Sequence, residues 1–286
     1  MNVQRQSLLL GAALSQSGPS EALERWNQWS AMRPRFEDLT PAETHCLSQA
    51  WRAAGSPHDT DEGRIRGMER QASVSTSVAL GAAGTTQECL YGRGIPSALT
   101  GGAAISLLIP TSPRSRLGAP QLLIEPSCTR AALKRDPALR ERVSGSASLS
   151  DVHIVWRSAL REIWASDDLQ RVLWHRRELI VPAPHRVAFD SVVQALFAPG
   201  DSNARIVAAI LDVAAASEHS GFDRSAWDHM VERNRLGRML GVATAPFAGV
   251  MRAPLTEMLR TSHTGNRWDR FELRSLRALG VRTLPR

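Results

Sequence analysis

Four arginines near the carboxyl end of the chain are spaced so that they could bind a polyanion. They follow one another at steps of 3, 4 and 3 residues, which places side chains on one face of a helix. A planar guanidinium group donates two parallel hydrogen bonds to a phosphate and loses its water more easily than an ammonium group. The spacing therefore predicts a row of phosphate-binding groups on a terminal helix. These residues are Arg267, Arg270, Arg274 and Arg277.

A helix over residues 268–279 would position these arginines. Its large apolar side chains gather on one side, while the arginines occupy a separate arc. We expect the apolar side to pack against the protein and the arginines to face outward. The same pattern is also typical of a solvated surface helix and is compatible with a membrane interface. The apolar side chains are Trp268, Phe271, Leu276 and Leu279.

The positive charge of the chain is concentrated in residues 233–286. This segment holds 11 Arg against 3 acidic residues, a net charge of +8, whereas residues 1–232 carry 24 basic and 25 acidic side chains. Such segregation favours an anionic partner that is bound through backbone phosphates, without sequence specificity. The predicted nucleic-acid-binding residues are Arg233, Arg235, Arg238, Arg252, Arg260, Arg267, Arg270, Arg274 and Arg277.

Catalytic and metal-binding motifs do not stand out. Lys134 is the single lysine among 35 basic residues and does not follow a Gly-rich loop, which argues against P-loop and Schiff-base chemistry. The 8 His and 3 Cys show no metal-ligand spacing, and no Gly-x-Ser-x-Gly elbow is present. The sequence predicts no catalytic residue, no metal site and no cofactor. An enzyme would need a site that converges from dispersed residues.

Two further segments could contact phosphates or bases. Residues 81–86 and 92–94 are Gly-rich but lack a full phosphate-loop fingerprint, so close backbone packing or tight turns are the favoured interpretation. Residues 174–177 read Trp-His-Arg-Arg, a combination that could stack on unpaired bases. A buried Trp174 with a solvated pair of arginines is the favoured alternative for that segment.

The hydrophobic pattern predicts a mainly α protein with a bundle-like carboxyl-terminal half. A capping box at Thr40 and Glu43, with Pro41 at the first helical position, predicts a helix that stops at Gly55. Residues 56–70 are predicted as a loop or short helix. Residues 71–126 favour either a small β element or helices packed on Gly and Ala. Amphipathic patterns predict helices over residues 151–164, 166–180, 186–197, 203–216 and 223–240.

The chain is long enough for one large domain or two modest ones. Residues 144–150 are Ser-rich and typical of a linker. We therefore predict a helical region with a Gly-rich mixed segment over residues 1–143. A helical domain ending in the basic amphipathic helix is predicted over residues 151–286. No apolar run reaches the roughly 20 residues of a membrane span. The sparse cysteines favour a reducing, cytoplasmic compartment.

The overall composition carries a resemblance to one known family. Ala, Ser and Pro make up 82 of the 286 residues, and the sequence pI is about 10.6. In this bias, in size and in basicity, the chain resembles the proline-alanine-serine-rich proteins of polymycoviruses, which are regarded as coat proteins of viral double-stranded RNA. The resemblance implies a nucleocapsid-like RNA-binding protein that forms homo-oligomers and is cytoplasmic or virion-associated. It carries over no individual residue.

Two alternative functions stay open beside this leading hypothesis. The preference for Arg over Lys is also typical of a GC-rich bacterial genome, so the chain could be a secreted effector that acts through protein–protein interaction. The third class is an enzyme whose site is not visible in the sequence. Binding to arbitrary RNA and DNA separates the leading hypothesis from both alternatives, because only a coating protein should bind them in a strongly salt-dependent way.

Overall fold

The computed structural model describes residues 2–15, 18–32, 34–58, 61–109, 121–124, 153–155, 169–197, 202–234 and 236–259. Over these residues the protein is mainly helical, with ten α-helices and five short strands. The mainly α fold class predicted from the sequence is confirmed. No helix in these described ranges is both long enough and apolar enough to span a membrane.

The amino-terminal part is a packed group of three helices: α1 (Asn2–Ala13), α2 (Pro19–Ala31) and α3 (Pro41–Ala53). The predicted capping box starts α3: the Glu43 N–H donates to Thr40 Oγ1 at 3.2 Å, and the Thr40 N–H donates to Glu43 Oε2 at 2.9 Å. The helix stops before Gly55, whose φ of +82° suits a residue without a side chain. Local capping chemistry therefore sets both ends of this helix.

A single long helix, α4 (Glu62–Tyr91), covers residues 62–70 of the segment predicted as a loop or short helix and the first part of the mixed segment. The mixed charges of its first turns form ion pairs along and beside the helix, such as Arg66–Glu62 at 2.6 Å and Arg52–Glu69 at 2.6 Å. Charges of alternating sign therefore mark a solvated helix face here, and not a loop.

The first sheet contains β1 (Ser97–Thr100), β2 (Gln121–Ile124) and β3 (His153–Val155). β1 runs antiparallel to β2, and β3 runs parallel to β2. Helix α5 (Gly101–Leu108) follows β1 directly. Residues 71–126 therefore contain both predicted alternatives, a small β element and helices. The helix predicted over residues 151–164 is wrong where the chain is described, because residues 153–155 pair with β2.

The second sheet is a hairpin of β4 (Leu169–Trp174) and β5 (Arg177–Pro182), which overturns the helix predicted over residues 166–180. The loop residues His175 and Arg176 have φ values of +43° and +67°. Two consecutive positive φ values are what a type I′ two-residue turn requires. The sequence prediction missed this turn because neither residue is Gly or Asn, the usual markers.

Five helices complete the described chain: α6 (Pro184–Phe197), α7 (Ser202–Ser217), α8 (Arg224–Arg233), α9 (Gly237–Thr244) and α10 (Ala253–Met258). Helices α6 and α7 agree with the predictions over residues 186–197 and 203–216. The single helix predicted over residues 223–240 is instead two helices. Its break is at Asn234, whose side-chain amide donates to the Met230 carbonyl at 2.8 Å and so competes with the backbone.

The helices and strands share one hydrophobic core. Trp26, Phe189, Trp227 and Phe247 are among its largest fully buried side chains. The core joins residues from both sides of the predicted domain boundary. The boundary itself, residues 144–150, lies outside the described residues.

The buried amide of Gln87 on α4 connects the two sheets. Its Nε2 donates to the Ser97 carbonyl of β1 at 3.2 Å and to the Ile180 carbonyl of β5 at 3.0 Å. Its Oε1 accepts from the Ile180 N–H at 3.1 Å. The hairpin is therefore fixed to α4 and β1 through a side chain.

A buried polar cluster joins α1, α2 and α3. We call it the Glu43 cluster, and its members are Arg5, Trp29, Thr40 and Glu43. The fully buried Glu43 carboxylate accepts from Arg5 Nε at 2.8 Å and from Trp29 Nε1 at 3.2 Å. Its second oxygen accepts from Thr40. Burial raises the pKa of the adjacent Cys46 thiol, and the Glu43 charge adds to the shift. The thiol is therefore kept protonated and unreactive.

Candidate nucleic-acid interface

Three of the nine predicted nucleic-acid-binding arginines lie in the described chain, and the structure places each at a helix end. Arg233 is the last residue of α8, Arg238 lies in the first turn of α9, and Arg252 is the N-cap residue of α10. All three are exposed, and each also has a contact with another group of the protein. The other six lie outside the described residues: Arg235, Arg260, Arg267, Arg270, Arg274 and Arg277.

Arg252 also lines a cleft of about 540 Å³ between α3, α7 and α10. The volume falls within the range of small-molecule sites. Leu211 and Ala214 of α7 line the cleft, while the opposite side of the helix is buried in the core. Its alanines are too small to fill the space beside them.

The other two arginines of the cleft are bound to carboxylates of the protein. Arg52 Nε pairs with Glu69 at 2.6 Å. Arg224 pairs with Asp228 at 3.0 Å and with Glu257 at 3.5 Å, which ties α8 to α10. Because these three carboxylates neutralise the two cations, the cleft offers little net attraction to an anion.

Buried acidic and polar groups of the described chain, such as Asp190, form packing contacts between elements. Asp190 is 1% exposed and accepts from Thr100 Oγ1 at 2.7 Å, a contact that holds α6 against β1. It also accepts from Gln194 Nε2 of the same helix at 2.8 Å. Among the described residues, no three His, Cys, Asp or Glu side chains lie close enough to hold a metal ion. These clusters are explained by packing.

The Gly-rich segment of residues 81–86 lies inside α4 and accepts the hairpin. A Cβ at Gly84 would lie 3.4 Å from both Arg177 Cδ and Leu179 Cδ2, and one at Gly81 would lie 3.9 Å from Trp174. The hairpin therefore packs directly against this part of α4 at ordinary contact distances. Residues 81–86 are helical and pack against the hairpin, in agreement with the close backbone packing favoured from the sequence. They do not form a phosphate loop.

The Trp-His-Arg-Arg segment of residues 174–177 divides into packed and exposed parts at the hairpin tip. Arg177 points back to α4, where its Nη1 donates to Thr85 Oγ1 at 2.8 Å and its Nε lies 3.8 Å from Glu88. Trp174 is half-buried, and His175 and Arg176 are exposed. The sequence interpretation is corrected for Trp174, which is only half-buried. Arg176 is exposed, and the Arg177 side chain remains 41% exposed although it contacts α4.

Sequence reasoning missed the hairpin that presents these residues, although a signal was present. Along β4 the side chains of Arg171 and Leu173 are exposed while Val172 and Trp174 are more buried. This alternation is typical of a strand.

Comparison with known proteins gives no further assignment. No protein-family model matches the chain, and no curated protein or solved structure is significantly similar to it.

Proposed function

We propose that the protein binds nucleic acid, RNA in particular, through phosphate contacts that do not depend on sequence. The observation that carries this proposal is the segregation of charge, with a net +8 in residues 233–286 against a near-neutral remainder of the chain. A polyanion is the partner that such a segment attracts most strongly, because each neutralised phosphate releases a condensed counterion. The compositional resemblance to the polymycovirus proteins favours RNA and self-association.

The described part of the segment supports the proposal at three positions. Arg233, Arg238 and Arg252 stand exposed on three successive helices, so α8, α9 and α10 each contribute a cation to the surface. Guanidinium groups suit this role because they pair with phosphate in a bidentate way. The terminal row of arginines at residues 267–277 is proposed to extend this surface.

Binding is tested by fluorescence anisotropy with arbitrary RNA and DNA oligonucleotides over a range of salt concentrations. If four terminal arginines contact phosphates, they contribute roughly −3 to −4 to the slope of log K against log salt. Substituting these arginines by Gln should remove that contribution and weaken binding to every sequence alike. The substituted residues are Arg267, Arg270, Arg274 and Arg277.

A matched control removes the same charge from elsewhere in the chain. It changes four arginines that pair with carboxylates, and it should leave the salt slope close to that of the unaltered protein. Equal slopes in the two quadruple variants would refute a role for the terminal arginines. Absence of binding to any nucleic acid would refute the proposal itself. The control substitutes Arg52, Arg64, Arg66 and Arg171 by Gln.

Self-association is tested in the same samples. A coating protein should form regular particles or filaments with RNA in electron micrographs, and light scattering should rise as RNA becomes saturated. One protein molecule bound to each RNA fragment at saturation, whatever the fragment's length, would contradict coating.

A further inference from the structure

We propose that the hairpin tip, defined as Trp174, His175 and Arg176, binds an unpaired nucleobase and its phosphate. The inference rests on the proposed nucleic-acid binding and adds a second contact site with its own ligand preference. The tip is expected to bind single-stranded nucleic acid, whereas the terminal arginines are expected to bind any phosphate backbone.

The backbone of the tip is the first observation. Both loop residues adopt positive φ, yet the chain uses His175 and Arg176 where Asn-Gly would fit with less strain. Unfavourable backbone conformations of this kind concentrate at functional sites, because the side chains they present are needed there. The turn therefore exposes an imidazole and a guanidinium at a cost in stability.

The aromatic surface is the second observation. Trp174 packs on α4 beside Gly81, where a Cβ would lie 3.9 Å from the indole, an ordinary contact distance. The ring is only half-buried, and His175 meets it edge-on with the centroids 4.6 Å apart. A held, partly open indole is a suitable platform for a base, since every base has a π-face that can stack.

The third observation is the charge that stays available. Arg171 on the same strand pairs with Glu178 at 3.2 Å, and Arg177 is held by Thr85 and Glu88. Arg176, by contrast, is exposed and makes no hydrogen bond or ion pair within the described chain. Arg176 follows Trp174 by two residues, so the tip offers one exposed cation and one partly open ring on the same short loop.

Single strands fit this arrangement better than duplexes do. In a duplex the bases stack on one another, and their faces are not accessible to a protein side chain. An unpaired nucleotide offers both a free face for Trp174 and a phosphate for Arg176. We therefore expect the tip to discriminate between single-stranded and double-stranded RNA of equal length.

The experiment compares oligouridine with an abasic oligonucleotide and with a duplex, all of equal length, by fluorescence anisotropy. Replacing Trp174 by Leu should weaken oligouridine binding by about tenfold, a typical loss for one stacked base, and leave abasic and duplex binding unchanged. Trp174→Phe should restore most of the affinity. Arg171→Gln serves as the control, because it removes a paired arginine from the same strand.

A second variant excludes a folding defect as the cause. The double substitution His175→Asn and Arg176→Gly creates the preferred type I′ sequence, so it should raise the melting temperature while it weakens oligouridine binding severalfold. Higher stability with unchanged oligouridine binding would overturn the inference, as would equal affinity of the unaltered protein for oligouridine and the abasic strand. These outcomes differ from a failure of the proposed phosphate binding, in which neither the abasic strand nor the duplex would bind.

Discussion

The Glu43 cluster and the hairpin tip both contain a tryptophan and an arginine, but the two regions use them in opposite ways. In the cluster, Arg5 and Trp29 donate to one buried carboxylate. At the tip, Trp174 is only half-buried, and Arg176 is exposed without an acidic partner in the described chain. Residue type alone therefore does not indicate function. What matters is whether the polar groups find their partners inside the protein.

The energetic consequences of the two arrangements differ in kind. A buried charge is tolerated only while its partner is present. If the partner is removed, the remaining charge is shielded from water and has no opposite charge to offset the lost hydration, so the fold is destabilised. An exposed group with no internal partner contributes little to stability and keeps its hydrogen-bonding capacity for a ligand. The following substitutions test this division, from the largest expected effect to the smallest.

Replacing Glu43 by Ala should lower the free energy of unfolding by about 3 to 5 kcal/mol, the usual loss when one partner of a buried ion pair is removed. The loss affects Arg5 most. Its Nη2 is already buried without a hydrogen-bond partner, and its Nε would lose the Glu43 carboxylate as acceptor. Urea denaturation measures the change. Glu24→Ala is the control, since Glu24 is exposed and, within the described ranges, accepts only from Gln28. A loss below about 1 kcal/mol would mean that the cluster is not a stabilising unit.

Replacing Thr40 by Ala removes the cap of α3 and should cost about 1 kcal/mol of unfolding free energy. The Glu43 N–H would lose its acceptor, and the Glu43 carboxylate would lose one donor. Thr40→Ser keeps the hydroxyl and should restore most of the stability in the same denaturation experiment. If Ser and Ala variants are equally unstable, the lost methyl group and not the cap explains the effect.

Replacing Arg171 by Gln should change the free energy of unfolding by no more than about 0.5 kcal/mol, since its ion pair with Glu178 is exposed on both sides. The melting temperature should accordingly stay within the error of a thermal scan. A clear destabilisation would show that surface ion pairs hold the hairpin, and the contrast between buried and exposed arginines would then disappear.

The parts of the fold that local chemistry determines could be predicted from the sequence. The capping box and Gly55 define α3, and the apolar periodicity of residues 186–197 and 203–216 identifies α6 and α7. The failures have different causes. Local chemistry breaks the helix predicted over residues 223–240 at Asn234, and the alternation along β4 was a local signal of a strand. The packing of the β4–β5 hairpin on α4 joins residues that lie far apart in the sequence, so a window of neighbouring residues does not contain it.

The candidate interface was predictable to a smaller extent. Charge counting identified residues 233–286, and the structure finds three of its arginines exposed. The residues at 174–177 were noticed for their composition, but their separation into a packed and an exposed arginine needed the α4 surface that receives Arg177. Which cations are neutralised is a property of the folded neighbourhood, and a net charge cannot reveal it.

The bridge made by Gln87 dictates which amino acid can stand at that position. Two carbonyl oxygens need a donor there and one backbone N–H needs an acceptor, and a carboxamide provides both on a single planar group. Glutamate would place an ionised oxygen against two carbonyls, and methionine would leave all three backbone groups without a partner. The Gln87 side chain therefore makes hydrogen bonds to β1 and β5 of the kind that a strand between them would make with its backbone. The architecture thus requires glutamine at this position.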